Sequence, residues 1–156
     1  MLLFFLFYIF VIPVCVLMHE IGHGVGVVSL SKLDAHIYLG KKRSQENKEN
    51  FRIGRFRFHI HWSYVGFVDW KGDLNKRQRI AALAGGPIMS LLLVFILAGI
   101  AISLPPSDLK SFFWGASTFN LGMVVWTVIP ITYPRWMGPY YGHPSDGLQL
   151  LRLQRK

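Results

Sequence analysis

LLFFLFYIFVIPVCVLMHEIGHGVGVVSL, residues 2–30, decides how the rest of the chain is read. Residues 2–18 carry no charge, and the glycine-rich continuation to Leu30 adds only His19, Glu20 and His23 as ionisable groups. At about 1.5 Å per residue, a helix of this length exceeds the roughly 30 Å of hydrocarbon in a bilayer. No Lys or Arg precedes the run and no small-residue cleavage site follows it, so a membrane anchor is expected rather than a cleaved leader.

The same length argument applies further along the chain, which is 52% hydrophobic. Residues 83–104 (LAGGPIMSLLLVFILAGIAISL) and 111–131 (SFFWGASTFNLGMVVWTVIPI) are both long enough to span. The expected fold is therefore a mainly α membrane protein of about three transmembrane helices, with a small membrane-associated β-sheet between the first two. The expected organisation is helix 1 over 1–30, a basic loop with the sheet over 31–80, helix 2 over 81–104, an external turn at 105–110 and helix 3 over 111–131. Residues 132–156 hold the rest of an aromatic, Pro-rich insert (131–145), an Asp-Gly pair and a basic C-terminal helix.

Charge orients these pieces. Of the 17 Lys and Arg residues, 12 lie between Lys32 and Arg79 and three lie in the last five positions. Basic loops stay on the cytoplasmic side, so 31–80 and the C-terminus are expected there, with the N-terminus and PPSDLK outside. Three spans put the two termini on opposite sides, as the charge does. The net charge of +9 is explained by topology and contact with anionic lipid, and nucleic-acid binding is not expected. The expected location is the plasma membrane of a bacterial cell, as a multi-pass protein. Cys15 is the only cysteine, so no disulfide within the chain is possible.

Between the first two spans the pattern turns strand-like. Residues 34–39 form one candidate strand, and the polar stretch KKRSQENKEN at 41–50 reads as a mobile loop. From Phe51 to Trp62 apolar and polar residues alternate, but the phase slips: Phe51 and Ile53 are odd, and Phe56, Phe58, Ile60 and Trp62 are even. A bulge near Gly54 and Arg55 restores a single apolar face. Tyr64–Trp70 is expected to pair antiparallel with that strand. His59 and His61, two apart, share its polar face; solvated or lipid-facing strand residues are the expectation, with metal ligation the rarer alternative.

HEIGH, residues 19–23, carries the chemistry. Residues four apart on a helix differ by about 40° in azimuth and about 6 Å in height, so His19 and His23 project from one face and can share an ion. Glu20 stands beside that ion without ligating it, placed to take a proton from an attacking water. His-Glu-x-x-His arises by accident in roughly one chain of this length in two hundred, so its position matters as much as its letters. Ionisable groups at the end of an apolar span are costly without partners and mark a functional site. Gly22 and Gly26 offer a small-residue face on which another span can pack closely.

A catalytic zinc takes three protein ligands and keeps one open position. Of the eight acidic residues, Glu20 is already assigned, five lie between 34 and 73, and Asp108 belongs to the outside turn. Asp146 remains, on the same expected side of the membrane as HEIGH, with His143 from the same segment as the competing ligand.

At this point the chain resembles the site-2 protease family of intramembrane zinc metalloproteases, and most of its length takes part. HEIGH and the Asp-Gly pair in SDG (145–147) are together the specific match. AGGPIMS (84–90), WSYVGFV (62–68) and FNLGMVVWTVIPI (119–131) are similar to the family's Gly-Pro segment, short strand and Asn-containing helix with its Pro turn. The resemblance implies hydrolysis of peptide bonds in or beside the membrane, Zn²⁺ as cofactor, Glu20 as general base, and His19, His23 and Asp146 as ligands. It also implies a membrane protein or peptide as substrate, held at the edge of the sheet by added hydrogen bonds. Ser90 and Thr127 stand where family members often carry Asn, which puts oxyanion stabilisation in question. Asn120 matches an upstream Asn and is read first as a helix-packing contact. The insert 131–145 is longer than usual and reads as an interfacial belt or a lid. A non-catalytic membrane scaffold retaining a zinc site is the alternative function. An ion transporter is disfavoured because no repeated half is present.

Overall fold

The computed structural model describes residues 2–40 and 48–155. Residues 41–47, most of the stretch expected to be a mobile loop, lie outside the described residues.

The N-terminal run is one continuous helical rod in three parts: α1 (Leu2–Leu6), a π-helical turn (Phe7–Val11) and α2 (Ile12–Leu30). Pro13 near the start of α2 has no N–H to give the carbonyl four residues back, and the Trp62 indole N–H donates to that carbonyl, Ile9 O, at 2.9 Å. Leu3–Leu30 and Lys76–Ser103, 28 residues each, are long and apolar enough to cross a membrane. At about 1.5 Å per residue each rod is roughly 42 Å long. Phe4, Ile88, Phe95 and Ile102 are well exposed along them, so their outer faces are apolar.

α3 (Lys76–Ser103) begins five residues before the expected 81, because Asn75 and Gln78 form a reciprocal capping box that closes the helix start there. α4 (Asp108–Val128) covers most of the expected third span, capped by Ser107 and ending at Ile129 before Pro130. Ser111, Ser117, Thr118, Asn120 and Thr127 make it less apolar than the other two. A 3-10 turn (Arg135–Tyr140) and α5 (Asp146–Gln154) follow.

Two expectations about the sheet are corrected. Phe51–Trp62 is not one bulged strand. β2 (Phe51–Ile53) and β3 (Phe56–Ile60) form a hairpin whose two-residue turn is Gly54-Arg55, with Gly54 at φ 58°. Ile53 pairs with Phe56 and Phe51 with Phe58, and directly paired residues share a face. The turn itself therefore produces the phase slip, and a positive φ at its first position is where glycine is favoured.

Second, β4 (Gly66–Trp70) does not pair with that strand. The order is β2-β3-β1-β4, with β1 (Ala35–Leu39) parallel to β3 and antiparallel to β4. β1 takes the centre because Ala35, Ile37 and Leu39 are buried along one face, whereas β2 is exposed throughout. That face packs on α2: a Cβ at Gly24 would touch Ile37, Phe56 and Ala35. Val27, Ala35, Leu74 and Ala82 form the core where α2, the sheet and α3 meet.

On the other side of β1, His36 Nδ1 and His59 Nε2 are 3.2 Å apart, the rings 25° from parallel with centroids 5.4 Å apart. The pair is hydrogen-bonded with its rings stacked, and among the described residues it belongs to no group of three donors that could hold an ion. His59 is buried under Tyr38, and His61 falls beyond the end of β3. The expected solvated or lipid-facing position for His59 is thus replaced by a buried one.

Candidate functional site

α2 and α3 touch backbone to backbone. A Cβ at Gly22 would overlap Gly85 O, one at Gly85 would overlap Gly22 O, and one at Gly26 would overlap Ala81 O. The small-residue face expected of Gly22 and Gly26 is occupied in this way, and it presses the HEIGH turn against Ala82, Gly86 and Ser90, one turn apart on α3.

Each imidazole is fixed through its Nδ1. His19 Nδ1 lies 2.8 Å from Ser90 Oγ, and His23 Nδ1 lies 2.7 Å from the Ala82 carbonyl oxygen, to which it donates. A donor Nδ1–H leaves Nε2 with its lone pair free, the tautomer a metal ligand needs. The two Nε2 atoms are 3.2 Å apart with their rings 85° from parallel. Gly86 keeps the space around them open, since a Cβ there would overlap both Nε2 atoms.

Asp146 arrives from α5. Ser145 caps that helix, accepting from Leu148 N at 3.1 Å and donating to Ile129 O at 2.7 Å, which ties the helix start to the end of α4. Gly147 makes the approach possible, because a Cβ there would collide with Val128 O. The Asp-Gly pair thus has a packing reason as well as a chemical one. Asp146 Oδ2 stands 3.6 Å from His19 Nε2 and 3.4 Å from His23 Nε2. Burial raises the Asp146 pKa, but hydrogen bonding to His19 and His23 outweighs it and holds the carboxyl well below its ordinary range. Its position in the first turn of α5 favours the anion too.

Two donors bound at about 2.0–2.1 Å to a tetrahedral zinc stand roughly 3.3 Å from each other. Donor separations of 3.2, 3.4 and 3.6 Å fit that requirement, and His19, His23 and Asp146 form one group that could hold an ion. Of the two candidates for a third ligand, Asp146 joins this group; His143 is exposed and lies against Phe67.

Glu20, buried in α2, lies beneath β4, where a Cβ at Gly66 would overlap its side chain. His19, Glu20, His23 and Asp146 share a cavity of about 1140 Å³ with Gly66, Phe67, Thr127, Tyr133 and Tyr140. The insert supplies one wall. Tyr140 lies against Phe67 and Tyr133, and its hydroxyl accepts the Gly66 amide at 2.9 Å. Burial, reinforced by the Glu20 charge, pushes its phenol above the ordinary range.

Ser90, Gly86 and Tyr140 are the residues that sequence reasoning undervalued. The spacing of Ala82, Gly86 and Ser90 was the available signal for the first two; the insert offers none for Tyr140. Asn120 is a packing contact: its amide N–H₂ meets Cys15 Sγ at 3.1 Å and Ala116 O at 2.9 Å. Comparison with protein-family models, curated proteins and solved structures returns no match.

Proposed function

We propose that this chain is a membrane-embedded zinc peptidase, as its resemblance to the site-2 protease family implies. The observation that carries the reading is the convergence of His19 Nε2, His23 Nε2 and Asp146 Oδ2 within 4.8 Å of one another, in a cavity shared with Glu20. Three ligands leave a tetrahedral ion one position for water or substrate, and a purely structural site has no use for a neighbouring base. The apolar outer faces of the two long helices support a bilayer as the solvent, with α4 as a third span.

A zinc ion held there supplies Lewis acidity, activating water and polarising a carbonyl near neutral pH. The chain's own groups do the rest. Ser90 and the Ala82 carbonyl orient the imidazoles, and Glu20 takes the proton of the attacking water and passes it to the leaving amide nitrogen. The substrate is a membrane protein or peptide segment, extended beside the edge strand β4, which lies directly over Glu20.

The test is cleavage of a single-span substrate by purified protein in liposomes, with metal measured in parallel. Glu20→Gln keeps the shape of the side chain and all three ligands, so zinc stays at about one per chain while cleavage falls at least about 100-fold. Wild-type turnover in the Gln variant, or an inert wild type across a broad substrate panel, rejects the peptidase reading and leaves a scaffold.

A further inference from the structure

A peptide carbonyl gains negative charge as water adds to it, and a hydrogen-bond donor aimed at that oxygen is a large contributor to rate. Three polar side chains of α3 and α4 that could have served are engaged elsewhere. Ser90 is engaged with His19, and the Thr127 hydroxyl donates back to Met123 O at 2.8 Å. Asn120 gives its N–H groups to Cys15 and Ala116. The donor is therefore to be sought outside the helices.

Tyr140 meets the need. The Gly66 amide donates to its oxygen at 2.9 Å, and Gly66 is the β4 residue whose added Cβ would come 3.0 Å from Glu20 Oε1. One amide thus pins the phenol oxygen to the same strand position that overlies the general base. The ring is held between Phe67 and Tyr133, with centroids at 5.5 and 5.9 Å. A phenol oxygen has lone pairs and one O–H. The amide uses a lone pair, and among the described residues no acceptor takes the proton. Tyr140 lines the cavity that holds His19, His23 and Asp146.

We propose that Tyr140 is a catalytic residue that donates a hydrogen bond from its hydroxyl to the scissile carbonyl oxygen as that oxygen becomes negative. The inference rests on the peptidase reading above. In the step itself the water oxygen bonds to the carbonyl carbon, the water proton passes to Glu20 and on to the amide nitrogen, and the C–N bond breaks. Tyr140 keeps its own proton throughout. It gives the insert a chemical role beyond covering the cavity.

The experiment is Tyr140→Phe in the full chain in liposomes, which keeps the ring contacts and deletes only the hydroxyl. The expected result is a kcat about 100-fold lower with KM within about threefold of wild type and zinc content unchanged. A second arm measures binding of a Leu-Leu phosphinic peptide, whose tetrahedral phosphorus carries an oxygen where the anion forms. Its affinity is expected to fall about 30-fold or more, while that of a simple thiol, which meets the metal alone, stays the same. Undiminished kcat in Y140F with an active wild type, or equal phosphinic-peptide affinity in the two proteins, overturns the assignment. Faster cleavage by Y140F overturns it as well and marks Tyr140 as a plug on the β4 edge. A wild type that cleaves nothing while Y140F behaves identically removes the peptidase reading, and with it this assignment.

Discussion

His19 Nδ1 lies 2.8 Å from the hydroxyl of Ser90, and Ser90 is wholly buried by the contact between α2 and α3. Ser90 is thus committed to orienting an imidazole. Removing such a partner lowers metal affinity by about 10–100-fold. Ser90→Ala is therefore expected to weaken zinc by that factor while the helices stay packed, since Ala adds no bulk. Competition with a fluorescent chelator measures it; unchanged affinity rejects the orienting role.

Gly86 separates metal binding from helix stability. Ala is the better helix former by about 1 kcal/mol, so Gly86→Ala favours α3 locally while its methyl overlaps both His Nε2 atoms. Zinc is expected to drop well below stoichiometric in Gly86→Ala, as in His19→Ala, and to stay at about one per chain in Gly99→Ala, where a Cβ meets open space. Retention of the ion in both Gly86→Ala and His19→Ala, seen by metal analysis, removes the site.

The orientation expected from the charge distribution is open to labelling. Lys71 is exposed just beyond β4, and the native thiol of Cys15 is buried, so Lys71→Cys offers one accessible thiol. In sealed cells an impermeant maleimide is expected to leave it unmodified until the membrane is opened. Ready labelling from outside reverses the assigned sides.

What the sequence made legible is local. HEIGH was readable because helical geometry alone puts His19 and His23 on one face, and the long rods because length and apolarity are additive along a chain. The phase slip at Gly54 was visible but ambiguous, since a bulge and a two-residue turn shift parity alike. The central place of β1 depends on a parallel pairing with β3 across the intervening hairpin strand, which no local pattern encodes. Ser90 read as a deficiency because its partner, His19, lies 71 positions away. Tyr140 sits in a stretch without periodicity, so nothing before the fold itself distinguished it from Tyr133 or Tyr141.

The ligand group has an order in time as well as in space. A nascent chain that has delivered α2 and α3 owns two oriented imidazoles and the Glu20 carboxylate, but no third donor. That donor comes only when Asp146 has been made and α5 has docked on the end of α4 through Ser145 and Gly147. On the peptidase reading proposed above, the half-built centre would until then hold an ion only loosely, so the growing chain would pass through synthesis beside other unfolded segments before it had the means to cut them.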